Sequence, residues 1–114
     1  MNAVIYCRVD GPQTSFAIDA IKGQQLHLME YAKKHGMKIA GIYLDVGYAG
    51  HTMERPGLRS VMQAVKDGSA DVILVANRNR LFRGCFPKEL QGLPVVSLKE
   101  QNRKKEKGGT THDL

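Results

Sequence analysis

Arg78, Arg80 and Arg83 fall within six residues, directly after the apolar run Val72-Ile-Leu-Val75. A β-branched and aliphatic run of that kind reads as a central strand covered on both faces. The three guanidiniums therefore follow where that strand must end. A second apolar run, residues 3–9, carries Arg8 near its own end. Ligands of open α/β sheets bind beyond the carboxyl ends of the strands. Permanent, fork-shaped cations gathered there suit phosphate oxygens, because each can donate two parallel hydrogen bonds and stays charged when partly desolvated. Two strands delivering arginines to one edge imply a site for phosphodiesters.

The elements that must position these groups alternate along the chain. Residues 3–9 read as a first strand, and Gly11-Pro12 punctuates the loop after it, since proline bars the helical region to the residue before it. Ile18, Ile21, Leu28, Met29 and Ala32 recur at helical spacing, giving a helix from about Ile18 to His35, with Gly36 as its C′ residue. Residues 37–45 read as a second strand, followed by a long glycine-containing loop. Pro56 opens a second helix, in which Leu58, Val61, Met62 and Val65 form one apolar face and Lys66 lies in the last turn. Residues 71–76 make the third strand, 86–92 one or two helical turns, and 94–98 a fourth strand. Strands alternating with helices imply right-handed crossovers. The expected architecture is a three-layer α/β/α domain with a mostly parallel sheet of four to five strands. Its expected extent is residues 1–98, with 99–114 a polar basic tail, disordered in isolation.

Composition narrows the classes. At 114 residues the chain is one domain's length, and 42% hydrophobic residues is ordinary for a globular protein. No apolar run approaches the roughly 18 residues of a membrane span, and residues 1–8 lack the pattern of a signal peptide. The simple expectation is a cytoplasmic protein without a membrane partner. Cys7 and Cys85 form neither a CxxC pair nor a disulfide framework. Cys7 reads as core, and His27, His35, His51 and His112 are too scattered for a metal site. A net charge of +6 favours a polyanionic partner, although part of the excess sits in the run 103–107. Arg59 and Arg103 read as solvated surface charges. With 6% aromatics, base stacking is not a theme of the sequence.

Taken in order, Tyr6-Cys-Arg-Val9, Gly23-Gln24, Asp45-Val-Gly-Tyr-Ala-Gly50, Arg55-Pro-Gly-Leu58 and Asp71-Val-Ile-Leu-Val75 followed by Arg80-Leu-Phe-Arg83 resemble the catalytic domain of the serine recombinases, the resolvase/invertase family. The resemblance covers roughly residues 3–98. It implies a domain that breaks DNA by attack of a serine hydroxyl on a phosphodiester, holds a covalent phosphoserine link and rejoins strands, with no metal or nucleotide cofactor. It implies DNA as partner, and assembly with further copies or with a full-length recombinase. On this chain Arg8, Arg55, Arg80 and Arg83 match the family's phosphate-binding arginines, and Gln24 and Asp45 match its supporting polar positions. In chemistry of that kind, fixed guanidinium donors stabilise the charge that develops on the non-bridging oxygens.

Position 10 departs from the pattern. Where the family places serine after Arg-Val, this chain has Asp10. A carboxylate can attack phosphorus, but the resulting acyl phosphate suits hydrolysis better than reversible strand exchange. The simpler expectation is that Asp10 pairs with Arg8, Arg80 or Arg83 and occupies the phosphate site itself. Thr14 and Ser15 are substitute hydroxyls only if the substrate is moved by several ångströms. Asn79 stands where the family usually has an acidic residue, and the long dimerisation helix and separate DNA-binding domain of family members have no counterpart here. A degenerate, weakly active or inactive recombinase domain is the leading reading. Its rivals are an active enzyme using Asp10, a non-enzymatic module binding DNA or a recombinase, and a flavodoxin-like nucleotide binder. The last lacks a glycine-rich phosphate cradle after the first strand.

Overall fold

The computed structural model describes residues 1–10 and 14–99. Four strands appear among them: β1 (Asn2–Val9), β2 (Lys38–Val46), β3 (Val72–Val75) and β4 (Val95–Ser97). They form one sheet in the order β2-β1-β3-β4, and every pairing is parallel. Helices α1 (Ser15–Lys34) and α2 (Pro56–Lys66) connect the first three strands, and the path from β3 to β4 holds a four-residue helix, α3 (Arg78–Leu81), and a 3₁₀ turn, Lys88–Leu90.

Both faces of β1 are buried, and its side chains divide by parity. Ala3, Ile5 and Cys7 pack with Val72 and Leu74 under Ile21, Leu28 and Ala32 of α1. Val4 and Tyr6 pack with Ile73 and Val75 under Leu58, Val61 and Ala64 of α2, together with Leu81 and Leu90 of the β3–β4 connection. This is the expected three-layer α/β/α arrangement. The chain steps from β1 outward to β2 over one face, then back across β1 to β3 over the other. The two crossovers part at β1 and β3, and the carboxyl ends of strands at such a point are where sheets of this kind place ligands.

Several boundaries differ from the sequence reading for local reasons. Helix α1 begins at Ser15 rather than near Ile18, because Thr14 caps it, its hydroxyl accepting the Ala17 N–H at 3.1 Å. Strand β3 stops at Val75, and the next residues turn into α3, with the Asn77 side chain accepting the Asn79 N–H at 2.9 Å. The one or two turns expected over 86–92 reduce to the 3₁₀ turn Lys88–Leu90. Of the tail expected to be disordered, only Lys99 lies within the described residues, where its N–H bonds the Ala76 carbonyl at 3.0 Å; the rest, and residues 11–13 of the first loop, lie outside them. Among the described residues no helix is long and apolar enough to cross a membrane.

Candidate phosphodiester site

The strand ends deliver two layers of polar groups, one inside the other. The inner layer is built on Asp45, which faces Arg8 in the β1–β2 register and is 2% exposed. Helix α2 starts with Arg55 at its N-cap and Pro56 at its first turn, and the Arg55 side chain makes no capping bond. Asp45 supplies the cap from another strand: its carboxylate accepts the N–H groups of Gly57 at 2.8 Å and Leu58 at 3.0 Å. A carboxylate at a helix N-terminus satisfies orphan donors and complements the helix dipole. Position 57 must be glycine for this, because a Cβ there would lie 2.8 Å from an Asp45 oxygen.

The same carboxylate accepts the Tyr6 hydroxyl at 2.7 Å, and that hydroxyl in turn accepts from Arg55 Nη1 at 3.0 Å. Burial, then the bond to Asp45, push the Tyr6 phenol well above its ordinary range, while nearby Arg55 pulls the other way. Arg55 is itself wholly buried. Its Nε donates to the Thr52 carbonyl at 2.8 Å, Nη1 also reaches the Arg80 carbonyl at 3.1 Å, and Nη2 donates to the Leu81 carbonyl. Four hydrogen bonds to fixed acceptors result, so this cation ties the 52–55 loop to α3.

The outer layer centres on Arg8. Its Nε donates to the Arg80 carbonyl at 2.9 Å and Nη2 to the Asn79 carbonyl at 2.6 Å, while Nη1 meets the Tyr48 carbonyl at 3.2 Å and the Asp10 carboxylate. The other Asp10 oxygen accepts from Arg83 Nη2 at 3.1 Å. Asp10 thus bridges a buried and an exposed guanidinium. Burial first, then the neighbouring cations Arg55 and Arg80, pull the Arg8 guanidinium down to about 10, so four arginines crowd one corner at a real electrostatic cost. Gly50 makes room for the Arg8 head, since a Cβ at that position would fall 2.6 Å from Nη2.

The backbone of Arg8 is gripped from both layers of helix. The Gln24 side chain, from α1, accepts the Arg8 N–H at 3.4 Å and donates to its carbonyl at 3.2 Å, and Arg80 Nη1 approaches the same carbonyl at 3.3 Å. The Arg80 Nε is buried and has no partner among the described residues. Thr14, a candidate substitute hydroxyl, is engaged as the α1 cap.

The expected site residues therefore separate. Asp10 and Arg83 stand at the rim, with half-buried Arg80 and Gln24 and the wholly buried Arg8 directly beneath them; Asn79 contributes its carbonyl rather than its exposed side chain; Arg55 and Asp45 lie behind, in the interior. Arg59 makes an exposed pair with Glu54 at 3.0 Å, and Arg78 lies over the Phe86 ring at 4.5 Å. Sequence reasoning gave no role to Tyr6, Gly50, Gly57 or the Thr52 carbonyl. For Tyr6 a signal was present: it sits two positions before Arg8 on a strand, hence on the same face. Gly50 and Gly57 stand within the quoted motifs, but the reason for them arises from side chains distant in sequence.

Cys7, on the opposite face, is buried, and burial pushes its thiol up to about 12, with Arg80 pulling it back. It belongs to the core beneath α1.

Known proteins share this fold. The family model for the resolvase N-terminal domain matches residues 3–110. The C-terminal catalytic domain of ISC1926 TnpA, an IS607-like serine recombinase, is 27% identical and superposes with a TM-score of 0.74 over 86% of this chain and 67% of that one. The N-terminal catalytic domain of TP901-1 integrase is 28% identical, with a TM-score of 0.69 over 88% of this chain and 78% of its own. A resolvase family site-specific recombinase from Streptococcus pneumoniae is 16% identical and shares the fold, with a TM-score of 0.67 over 99% of this chain and 95% of that one. A family match running nearly end to end, on a parallel sheet in this order, places the chain in the resolvase family of serine recombinases.

Proposed function

We propose that this chain is a DNA-recombinase catalytic domain that recognises the DNA phosphodiester through Arg8, Arg80 and Arg83, and that its strand exchange is weak or absent because Asp10 both replaces the serine nucleophile and fills the anion site. The observation that carries the reading is the Asp10 carboxylate bridging Arg8 Nη1 and Arg83 Nη2. Its two oxygens stand where two non-bridging phosphate oxygens would be received, so a bound phosphodiester must displace an internal anion. The buried Arg80 Nε, without an acceptor among the described residues, is a further donor at the same corner. Arg55 and Asp45 act in this reading by holding α3 and α2 around the rim, and Gln24 by fixing the Arg8 peptide.

Substituting Asp10→Ser tests the proposal. Removing one carboxylate from a partly exposed pair should raise affinity for a short DNA duplex about five- to tenfold, equivalent to about 1 kcal/mol. The gain should shrink as salt is added, because phosphate contacts release counterions. Fluorescence anisotropy at several ionic strengths measures both effects, and incubation with supercoiled plasmid measures nicking and any covalent protein–DNA adduct. Unchanged DNA affinity in the Asp10→Ser protein would sink the reading of Asp10 as an internal phosphate mimic. An adduct formed by the natural sequence and lost in Asp10→Asn would show instead that the aspartate is a working nucleophile.

A further inference from the structure

Beside the rim, the short connection between β3 and β4 borders an open cavity of about 530 Å³. That size lies within the roughly 300–1,000 Å³ of pockets that hold small organic ligands. Its walls include Arg78, Asn79, Phe82, Phe86 and Gln91. The Arg78 guanidinium lies over the Phe86 ring, 4.5 Å from its centroid, so a flat cation and a flat ring are already layered. Gly84 and Gly92 border the opening, and nothing stands within 4 Å of where their side chains would begin. Asn79 is a wall shared with the rim: it lines the cavity, and its carbonyl takes the Arg8 Nη2 bond at 2.6 Å.

A planar, uncharged ring tethered to an anion fits this combination. Aromatic faces and guanidinium planes are the two surfaces on which proteins stack nucleobases, and side-chain amides such as those of Asn79 and Gln91 pair with base edges. We propose that the cavity receives one base of a DNA strand, unpaired or turned out of the helix, whose phosphate lies on the Arg8–Arg80–Arg83 rim. The base layers onto the Arg78–Phe86 stack, and the subsite selects for an accessible base next to the bound phosphate. This inference rests on the phosphodiester reading of the rim.

The test compares a short single-stranded oligonucleotide with an abasic strand of equal length and equal phosphate count, by anisotropy at low salt. One stacked base should make the base-bearing strand bind roughly tenfold to a hundredfold more tightly. Phe86→Leu and Arg78→Lys, which keep apolar bulk and charge but remove the flat surfaces, should abolish that gap and leave abasic binding unchanged. Cys85, exposed next to Phe86, can be alkylated while Cys7 stays buried, so the base-bearing strand should also slow alkylation of Cys85 and the abasic strand should not. Equal affinity for the two strands with a steep salt slope overturns the base subsite and leaves the rim reading standing. No binding of either strand overturns both. A gap that survives both substitutions places the base elsewhere, and a mononucleotide binding as tightly as the oligonucleotide overturns the assignment to a DNA strand.

Discussion

Arg55 and Arg83 carry the same head group and are used in opposite ways. Arg55 is fully buried and ends on three carbonyls and a tyrosine hydroxyl, all of them fixed parts of the protein. Arg83 is exposed and ends on Asp10, a carboxylate that is itself partly open to water. Carbonyls spread the charge of a buried guanidinium over several dipoles, whereas a rim cation keeps donors that an arriving anion can claim. In the function proposed above, a cluster of arginines is thus a framework on the inside and a binding surface on the outside, and Arg8 belongs to both. Its Nε and Nη2 are committed to α3, and only Nη1 turns toward Asp10.

The sharpest way to break this contrast is to remove each cation while keeping its bulk. Arg55→Met should destabilise the fold by about 3–5 kcal/mol, since it strands buried acceptors that nothing else can reach. Arg83→Met should cost no more than about 1 kcal/mol, as exposed pairs do, yet weaken DNA binding and flatten its salt dependence. Urea unfolding and anisotropy read the two effects separately. Equal stability losses would mean that inner and outer arginines are not distinct.

Gly57→Ala gives a smaller effect with a sign that decides between explanations. Helix propensity alone predicts a gain of up to about 1 kcal/mol. The new Cβ would instead press on the Asp45 carboxylate, 2.8 Å away, and loosen the cap, predicting a loss of about 1–2 kcal/mol. A stabilised Gly57→Ala protein would show that the Asp45 cap contributes little.

The opposite face of β1 supplies the mildest test. The Cys7 thiol is held up to about 12 from an ordinary 9, so the unfolded chain loses this proton first. Its contribution to stability is intact below about pH 9 and declines above it, by at most about 1.4 kcal/mol per pH unit. Tyr6 adds a decline in the same direction only above about pH 10, and Arg8, whose folded value is lowered, opposes it there. Between about pH 9 and about pH 10, Cys7→Ala should therefore flatten the fall that the natural sequence shows in urea unfolding.

Much of the fold was legible because periodicity carries it. Helix α2 shows its buried stripe in Leu58 and Val61 and its start in Pro56, and β1 and β3 announce burial on both faces by unbroken apolar runs. The start of α1 was hidden because its first turn presents an exposed Phe16 and depends on a threonine cap rather than on an apolar pattern. A helix of four residues such as α3 has no period to read at all. At the site, residue type and position at strand ends pointed to the arginines. Which of them face inward was not legible, since that depends on carbonyls 25 and 26 residues away from Arg55. The position of Asp45 under α2 likewise follows from the β1–β2 register, which no local pattern reveals.

Strand β1 outruns its neighbour β3, whose pairing with it ends at Ile5 and Leu74. Three residues further on, the side-chain amide of Gln24 binds both the N–H and the C=O of Arg8. A glutamine from the far layer acts there as a borrowed peptide group, a single rung extending the ladder where no strand remains to supply one. Sliding α1 along the sheet would therefore pull on the very residue whose guanidinium reaches the rim, so substitutions deep beneath that helix should be felt across the sheet, among the arginines.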